Sequence, residues 1–222
     1  MSTSLPLFPL GSVLYPGLVL PLHIFEQRYR QLIADLLTGP EPRRFGVIAI
    51  RYGRETGVDG VSALYGTGCA AELRQVERYP DGRFDLITVG TQRFRLDSLG
   101  DPAPYLTGQV EWLPDELGDE ARAAVVVPAV QRALRSYLDV LSDQGGAQIS
   151  VPELPDEPML LSYLVAATIV ADLPVKQELL EEADACRRLT AERAVLAAET
   201  RMLRSLTATP APDLRYTPYS QN

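Results

Sequence analysis

The amino-acid sequence predicts an α+β fold in which a small, partly closed β-barrel with one early helix precedes a C-terminal helical bundle. Two observations lead to this prediction. Short apolar runs with a period of two residues, separated by prolines and glycines, fill the first half of the chain, as is typical of strands with one buried face. Beyond residue 119 the apolar residues recur with the period of a helix, as is typical of amphipathic helices in a bundle.

The first forty residues contain a change of period from strand to helix. Apolar residues alternate between prolines in two runs, residues 5–9 and 18–22, and both are predicted strands. From Phe25 onward the spacing becomes helical and predicts a helix that buries one stripe and stops at Gly39. The stripe comprises Phe25, Tyr29, Leu32, Ile33, Leu36 and Leu37.

The remaining strands are predicted from apolar runs and turn residues. Residues 45–50 are apolar or glycine throughout and predict a buried strand, whereas residues 51–68 hold five glycines and predict a long loop. The Tyr-Pro-Asp-Gly-Arg segment at 79–83 predicts a hairpin turn, because proline presets one φ angle and glycine accepts a positive one. After this turn Phe84 and Leu86 are expected on one face. Further strands are predicted at 69–79, 83–89, 93–96 and 105–113. About seven short strands suit a small barrel.

Helices are predicted beyond the acidic segment 114–119, where the composition changes. One helix is expected to end at Gly145; Pro128 either begins it or kinks it, and the three valines before Pro128 leave a short strand as an alternative. Asp156 is a candidate N-cap for a helix over 157–172, which is apolar nearly all round and is expected to be the central buried helix. Two further helices are predicted at 175–182 and 185–206.

These assignments divide the chain into three predicted parts. Residues 1–116 form a β-rich barrel subdomain and residues 117–206 form a helical bundle subdomain. Residues 207–222 contain three prolines among polar residues, which predicts a disordered tail.

The charge of the chain argues against nucleic acid as a partner. The formal net charge is -8 at pH 7, whereas a phosphate backbone is held by clustered positive charge. No apolar run approaches the length of about 18 residues that a membrane span needs. Cys69 and Cys186 lie far apart in the sequence, and no signal peptide precedes them. We therefore expect a cytoplasmic protein with reduced thiols and no membrane partner.

The residue inventory argues against a catalytic site. The single lysine, Lys176, follows a valine, so a phosphate-binding loop of the Gly-x-x-x-x-Gly-Lys type is excluded; Lys176 is expected on a solvated helical face. The single histidine, His23, is expected to hydrogen-bond to backbone where strand turns to helix. The acidic residues at 115–120 are expected to be a solvated linker. Two distant cysteines do not suit a zinc site, and we expect no metal and no cofactor.

Three separated motifs resemble one known family. The first comprises Leu-Pro-Leu-Phe-Pro-Leu at 5–10, Tyr-Pro-Gly at 15–17, Leu-Pro-Leu at 20–22 and Phe-Glu-Gln-Arg-Tyr at 25–29. The others are Tyr-Pro-Asp-Gly-Arg-Phe at 79–84, and Lys-Gln-Glu-Leu-Leu-Glu at 176–181 followed by Arg-Leu at 188–189. In this order they resemble the amino-terminal domain of Lon proteases, and more closely the free-standing bacterial proteins that consist of that domain alone. Gln27 departs from the family pattern, in which proline is more common there.

The resemblance implies a PUA-like barrel and a non-catalytic substrate-recognition module, without the ATPase and protease domains. Unfolded proteins or peptides are then the expected ligands, and a separate ATP-dependent protease is the expected partner of an adaptor in protein quality control. We expect an apolar groove between barrel and bundle or under the loop at 51–68. Tyr52 and Tyr65 flank that loop and are candidate peptide-binding residues, because an aromatic side chain offers apolar area and one polar group; a packing role is the alternative.

A second hypothesis uses the same barrel differently. PUA-like barrels bind RNA elsewhere, so a regulator that binds RNA or a small molecule is the alternative function, although the acidity of the chain argues against RNA. A stand-alone hydrolase ranks below both, because the side chains for it are missing.

Overall fold

The computed structural model describes residues 3–53, 61–100, 104–145 and 153–208. Within these ranges the strands are β1 (Thr3–Leu10), β2 (Val19–Ile24), β3 (Arg44–Gly53), β4 (Val61–Arg78), β5 (Phe84–Leu99) and β6 (Thr107–Trp112). The helices are α1 (Gln27–Thr38), α2 (Glu120–Gly145), α3 (Pro158–Thr168), α4 (Leu173–Glu181) and α5 (Ala185–Ala208). One early helix among strands, followed by four helices, confirms the predicted α+β class.

The six described strands form one sheet that curls into a ring. The strand order is β2-β5-β4-β3-β1-β6, and β6 pairs again with β5. The length of β5 makes this closure possible, because residues 84–89 pair with β2 and residues 94–99 pair with β6. β1 runs parallel to β3, and the other pairings within the described strands are antiparallel. The predicted partly closed barrel is confirmed.

The described residues hold six strands rather than about seven because β5 is continuous. The strands predicted at 83–89 and 93–96 both belong to β5, which passes through Gly90 without a break. A Cβ atom at Gly90 would lie 2.2 Å from the carbonyl oxygen of Tyr15. The glycine therefore marks a close approach of two backbone segments and does not end the strand.

Strands β3 and β4 both extend into the segment predicted as a loop. β3 continues to Gly53 and β4 begins at Val61, so most of the predicted loop at 51–68 is strand; residues 54–60 lie outside the described residues. The predicted turn between β4 and β5 is confirmed. Gly82 has a φ of 83°, and the Tyr79 N–H donates to the carbonyl oxygen of Arg83 at 2.9 Å.

Helix α1 begins two residues later than predicted. Glu26 is its N-cap residue, so Phe25 precedes the helix and its side chain is 55% exposed. The predicted burial of Phe25 is therefore wrong. Tyr29, Leu32 and Ile33 of the stripe are buried as expected, in one cluster with side chains of the sheet, and Leu36 and Leu37 are partly buried against this cluster.

Helix α2 runs without a break through Pro128, so the strand alternative for the preceding valines is wrong. Helix α3 begins at Pro158 and is capped by Glu157, whose carboxylate accepts hydrogen bonds from two backbone N–H groups of the first turn. The predicted cap, Asp156, is wrong. Buried residues of α2, α3 and α5 form one apolar core, although Leu160 on α3 is 57% exposed. None of the described helices is long and apolar enough to cross a membrane.

A buried polar network joins the sheet to the helices. Arg93 on β5 is 1% exposed, and it donates to the Asp115 carboxylate and to the carbonyl oxygens of Pro114 and Leu180 at 2.6, 2.8 and 3.0 Å. The same Asp115 oxygen accepts the Tyr163 hydroxyl of α3 at 2.7 Å. Asp115 is exposed, as expected for a solvated linker, and its carboxylate also joins the sheet to α3.

Arg188 on α5 extends this network into the bundle. It is fully buried, and it donates to the Leu179 carbonyl oxygen, the Ser162 hydroxyl and the Tyr163 hydroxyl at 3.0, 2.7 and 3.2 Å. A division of the chain between residues 116 and 117 remains a prediction. The same holds for the disordered tail, whose residues 209–222 lie outside the described residues.

Candidate functional site

A groove opens between the end of β1 and β2. It has a volume of about 180 Å³ and is lined by residues 8–10 of β1, residues 22–24 of β2, and Phe25, Glu26 and Tyr29 at the start of α1. Most of these side chains are apolar or aromatic. A space of this size is smaller than the pockets of about 300–1,000 Å³ that hold whole small ligands, so it suits a single apolar side chain.

Packed aromatic rings form the base of the groove. Phe8 is buried and packs on Tyr29, with 4.1 Å between the ring centroids, and on Phe45 of β3 at 5.7 Å. Phe25, which also lines the groove, is 55% accessible to solvent. An exposed aromatic side chain in an apolar groove is a feature of interaction sites on proteins.

The groove follows an unpaired backbone edge of β2. Among the described strands β2 pairs only with β5. The carbonyl oxygen of Leu18 accepts the N–H of Gly90 at 2.8 Å, and backbone groups alternate sides along a strand, so those of Val19 and His23 point away from β5. Pro21, between them, lacks an N–H, as is typical of an edge strand. This edge leaves N–H and carbonyl groups available to an added strand.

Consecutive residues of β2 line the groove, and this fixes its position. Leu22, His23 and Ile24 all contribute to it, although successive side chains of a strand point to opposite faces. The groove therefore lies along the edge of β2 and not on one face of the sheet. An extended chain that pairs with this edge would place its side chains at the groove.

One end of the groove carries a cluster of polar side chains. The Asp85 carboxylate lies 2.5 Å from Nδ1 of His23 and accepts the Tyr79 hydroxyl at 2.6 Å. The Tyr79 hydrogen bond and then His23 hold the pKa of Asp85 below its usual value, and the same bond to Asp85 raises the pKa of Tyr79. His23 is exposed and pairs with a side chain, so the expected bond to backbone is wrong.

The sequence matches a family model over residues 4–197, and that model is described as the substrate-binding domain of the ATP-dependent protease La (LON). The chain belongs to this family. The predicted resemblance is thereby confirmed, and its first motif occupies the strands and the helix start that form the groove.

Relatives of this Lon substrate-binding domain include two Lon proteases. Lon protease 2 of Myxococcus xanthus is 28% identical over 187 residues, which are 83% of this chain and 22% of that protein. The Lon protease of Escherichia coli K12 is 24% identical over 200 residues, which are 90% of this chain and 25% of that protein. The chain thus spans about a quarter of the length of these relatives.

Solved structures give the same fold. A Lon N-terminal domain protein from Xanthomonas campestris is 27% identical, with a TM-score of 0.59, and covers 94% of this chain and 99% of its own. The N-terminal domain of the Mycobacterium avium complex Lon protease is 16% identical, with a TM-score of 0.62, and covers 88% of this chain and 98% of its own. At this low identity the similarity is evidence of the fold alone.

The two tyrosines predicted as peptide contacts lie away from the groove of this Lon substrate-binding domain. Tyr52, near the end of β3, is 63% exposed and pairs with Ala63 of β4; its ring lies 5.6 Å from the guanidinium of Arg51. Tyr65 on β4 is half-buried. Neither residue lines the groove, and a role in peptide binding remains a prediction for both.

The groove has polar groups but no arranged nucleophile. Nε2 of His23 lies 3.4 Å from the Arg83 guanidinium, and within the described part of the chain no serine or cysteine is hydrogen-bonded to His23. Cys69 and Cys186 are buried free thiols, and burial raises the pKa of each, which disfavours the reactive thiolate. Among the described residues, the groove thus holds no nucleophile hydrogen-bonded to His23, an arrangement that covalent catalysis commonly uses.

Lys176 is less solvated than its helical position predicts. Its Nζ donates to the carbonyl oxygen of Ala167 at 3.2 Å, and partial burial lowers its pKa. Lys176 is therefore partly exposed, and the expected solvated face holds for it only in part. In the ranges that the structure describes, no three histidine, cysteine or acidic residues are grouped to hold a metal ion.

One residue of the sequence, Pro21, indicates the strand edge beside the groove, although the spacing of apolar residues does not. A proline inside a strand pattern is typical of an edge strand, and Pro21 is such a residue. The position of Phe25 at the groove could be found only from the structure, because its apolar character and spacing predict burial on the stripe of α1.

Proposed function

We propose that this Lon substrate-binding domain recognises unfolded polypeptide by pairing an extended, apolar segment with the free edge of β2. One apolar side chain of the segment enters the groove between β1 and β2. The observation that carries this proposal is the coincidence of an apolar groove with an unpaired strand edge.

The two features together select unfolded chains. A folded protein has paired its backbone groups and buried its apolar side chains, whereas an unfolded segment offers both. Burial of one large apolar side chain contributes about 1.5–3 kcal/mol, and main-chain pairing is independent of sequence. This combination gives weak binding with broad tolerance, which suits a receptor for many different unfolded proteins.

We further propose that the domain acts without catalysis, as an adaptor in protein quality control in the cytoplasm. It would present bound substrates to a separate ATP-dependent protease. Support comes from the matched substrate-binding family and from the lack of an arranged nucleophile near His23 in the described residues. The RNA-binding alternative gains no support from the groove, which is lined mainly by apolar side chains.

Peptide titrations followed by fluorescence anisotropy test this function. A labelled peptide with alternating apolar residues should bind, and moderate salt should leave its affinity nearly unchanged, whereas RNA binding would weaken steeply. Phe25→Ser should lower the affinity by about tenfold, since the loss of a buried aromatic contact costs on the order of 1–2 kcal/mol. Val125→Ser is the matched control, because Val125 is 72% exposed on α2, and it should bind as the wild type does.

Two results would contradict the proposal. Equal losses in the Phe25 and Val125 variants would exclude the groove as the binding site. Displacement of the peptide by RNA at low salt, followed by loss of all binding at moderate salt, would favour the alternative function.

A further inference from the structure

A larger hollow lies on another part of the barrel, between the end of α1, the segment that leads into β3, and the second half of β4. Its volume is about 610 Å³, which falls in the range of about 300–1,000 Å³ typical of sites for small ligands. It shares no lining residue with the groove between β1 and β2. A function of this hollow would therefore be independent of the proposed peptide site.

Arg43 lines this hollow with an unsatisfied donor. Its Nε is buried and has no hydrogen-bond partner among the described residues. Its backbone is fixed, because the Arg43 carbonyl oxygen accepts the N–H of Leu73 on β4 at 3.0 Å. Buried donors of native proteins are nearly always paired, and a charged donor without an acceptor is the costliest exception. An anionic acceptor is the group that this position lacks.

The neighbouring acid cannot supply that acceptor. Glu72 lies between two other arginines: one carboxylate oxygen is 2.8 Å from Nη2 of Arg44, and the other is 3.1 Å from Nη1 of Arg74. Both of its oxygens are therefore engaged. Glu41, which also lines the hollow, is exposed to solvent. Three arginines face two acids here, so the local charge favours one additional negative group.

One part of the wall of the hollow is apolar. Leu37 of α1 and Leu73 and Val76 of β4 line it, and all three are only partly buried on the barrel core. A ligand that fills the hollow would cover them, and it must therefore carry an aliphatic group beside its anion. A fully hydrated inorganic ion would leave this wall exposed.

We infer that this hollow binds a carboxylate carried on an aliphatic group, with Arg43 donating to the carboxylate. The planar guanidinium matches a carboxylate in geometry. A single negative charge fits better than a phosphate dianion, because Glu41 and Glu72 would repel the second charge. A small organic acid and the C-terminal residue of a peptide share this chemistry.

Calorimetric titrations with matched acids and amides test the inference on the whole chain. N-acetyl-leucine should bind, and N-acetyl-leucinamide should bind about tenfold more weakly or not at all, since it lacks the charge that Arg43 pairs with. A tetrapeptide acid that ends in leucine is compared with its amide in the same way. If the tetrapeptide acid binds more tightly than N-acetyl-leucine, the ligand is a peptide C-terminus. If the two acids bind equally, the ligand is a small acid.

Variants of Arg43 complete the test. Arg43→Gln should weaken binding of the acids about tenfold or more. Arg43→Lys keeps the charge but loses the planar, bidentate guanidinium, so its affinity for the acids should lie between those of Arg43→Gln and the wild type. Arg135→Gln, an exposed arginine of α2, is the control and should bind normally. The inference would be overturned if acid and amide bound with equal affinity, or if no acid bound at all. It would also be overturned if inorganic phosphate bound more tightly than the acids, or if Arg43→Gln and Arg43→Lys had no effect.

Discussion

Arg93 and Asp115 form an ion pair at the junction of sheet and helices, with 2.6 Å between Nε and Oδ1. Arg93 is 1% exposed, and its remaining donors reach backbone carbonyl oxygens of the segment after β6 and of α4. Asp115 in turn binds the Tyr163 hydroxyl of α3. One buried cation thus connects the barrel with two helices of the bundle.

Removal of this cation should destabilise the protein strongly. Arg93→Met keeps most of the length of the side chain but removes the Arg93 donors of the Asp115 carboxylate and of three backbone carbonyl oxygens. We expect the free energy of unfolding to fall by about 2–4 kcal/mol, as measured by urea denaturation.

Arg95 provides the control on the same strand. It lies two residues further along β5, its side chain is 57% exposed, and it pairs with Glu111 at the surface. Arg95→Met should change the free energy of unfolding by less than about 1 kcal/mol. Similar losses in the two variants would contradict a special role of Arg93 at the junction.

A methyl group at Gly68 should not fit inside the barrel. A Cβ atom there would lie 2.5 Å from the carbonyl oxygen of Val47 and 2.4 Å from Cζ of Phe94. Gly68→Ala should therefore lower the free energy of unfolding by about 1–3 kcal/mol. Gly66→Ala, on the same strand, meets nothing within 4 Å and should change it by less than about 0.5 kcal/mol. Urea denaturation that ranks the two variants equally would contradict the close packing of β3 and β4 at this point.

Glu192 should make the protein less stable as the pH rises. It is fully buried on α5, and its carboxylate oxygens have no hydrogen-bond partner among the described residues. Burial raises its pKa well above the ordinary value of 4.5, and the charge of Arg188 opposes this only in part. The folded state therefore binds more protons than the unfolded state, and this contribution to stability is lost as the pH rises from about 4.5 through the folded pKa.

Glu192→Gln removes this titration. The free energy of unfolding of the variant relative to the wild type should rise with pH across that window, by at most about 1.4 kcal/mol per pH unit. Urea denaturation of both proteins at a series of pH values measures this difference. A difference that is constant with pH, or that falls as the pH rises, would contradict a raised pKa of Glu192.

Local chemistry made several elements predictable from the sequence. The turn at 79–83 follows from proline and glycine at the two positions where a turn restricts φ, and the strand after it buries Phe84 and Leu86 as its period predicts. The start of α1 was less predictable. The apolar period includes Phe25, but the helix begins after Glu26, whose side chain makes no capping hydrogen bond, and a period does not reveal which of its first residues lies outside the helix.

The buried charges could not be predicted, for a physical reason. Alternation of Arg93 and Arg95 with apolar residues places both arginines on one face of the strand, but it does not reveal how much of that face the helices cover. Here α4 covers Arg93, while Arg95 stays exposed. The hollow at Arg43 and the groove at Phe25 likewise depend on contacts between segments distant in sequence.

Amide hydrogen exchange, measured with and without a saturating peptide of alternating apolar residues, tests the β2 edge most directly. The N–H groups of Val19 and His23 point away from β5, and they should gain protection when an added strand pairs with them. Protection that leaves Val19 and His23 unchanged, and arises instead around Tyr52 and Tyr65, would contradict the proposal and move the binding site to the hairpin of β3 and β4.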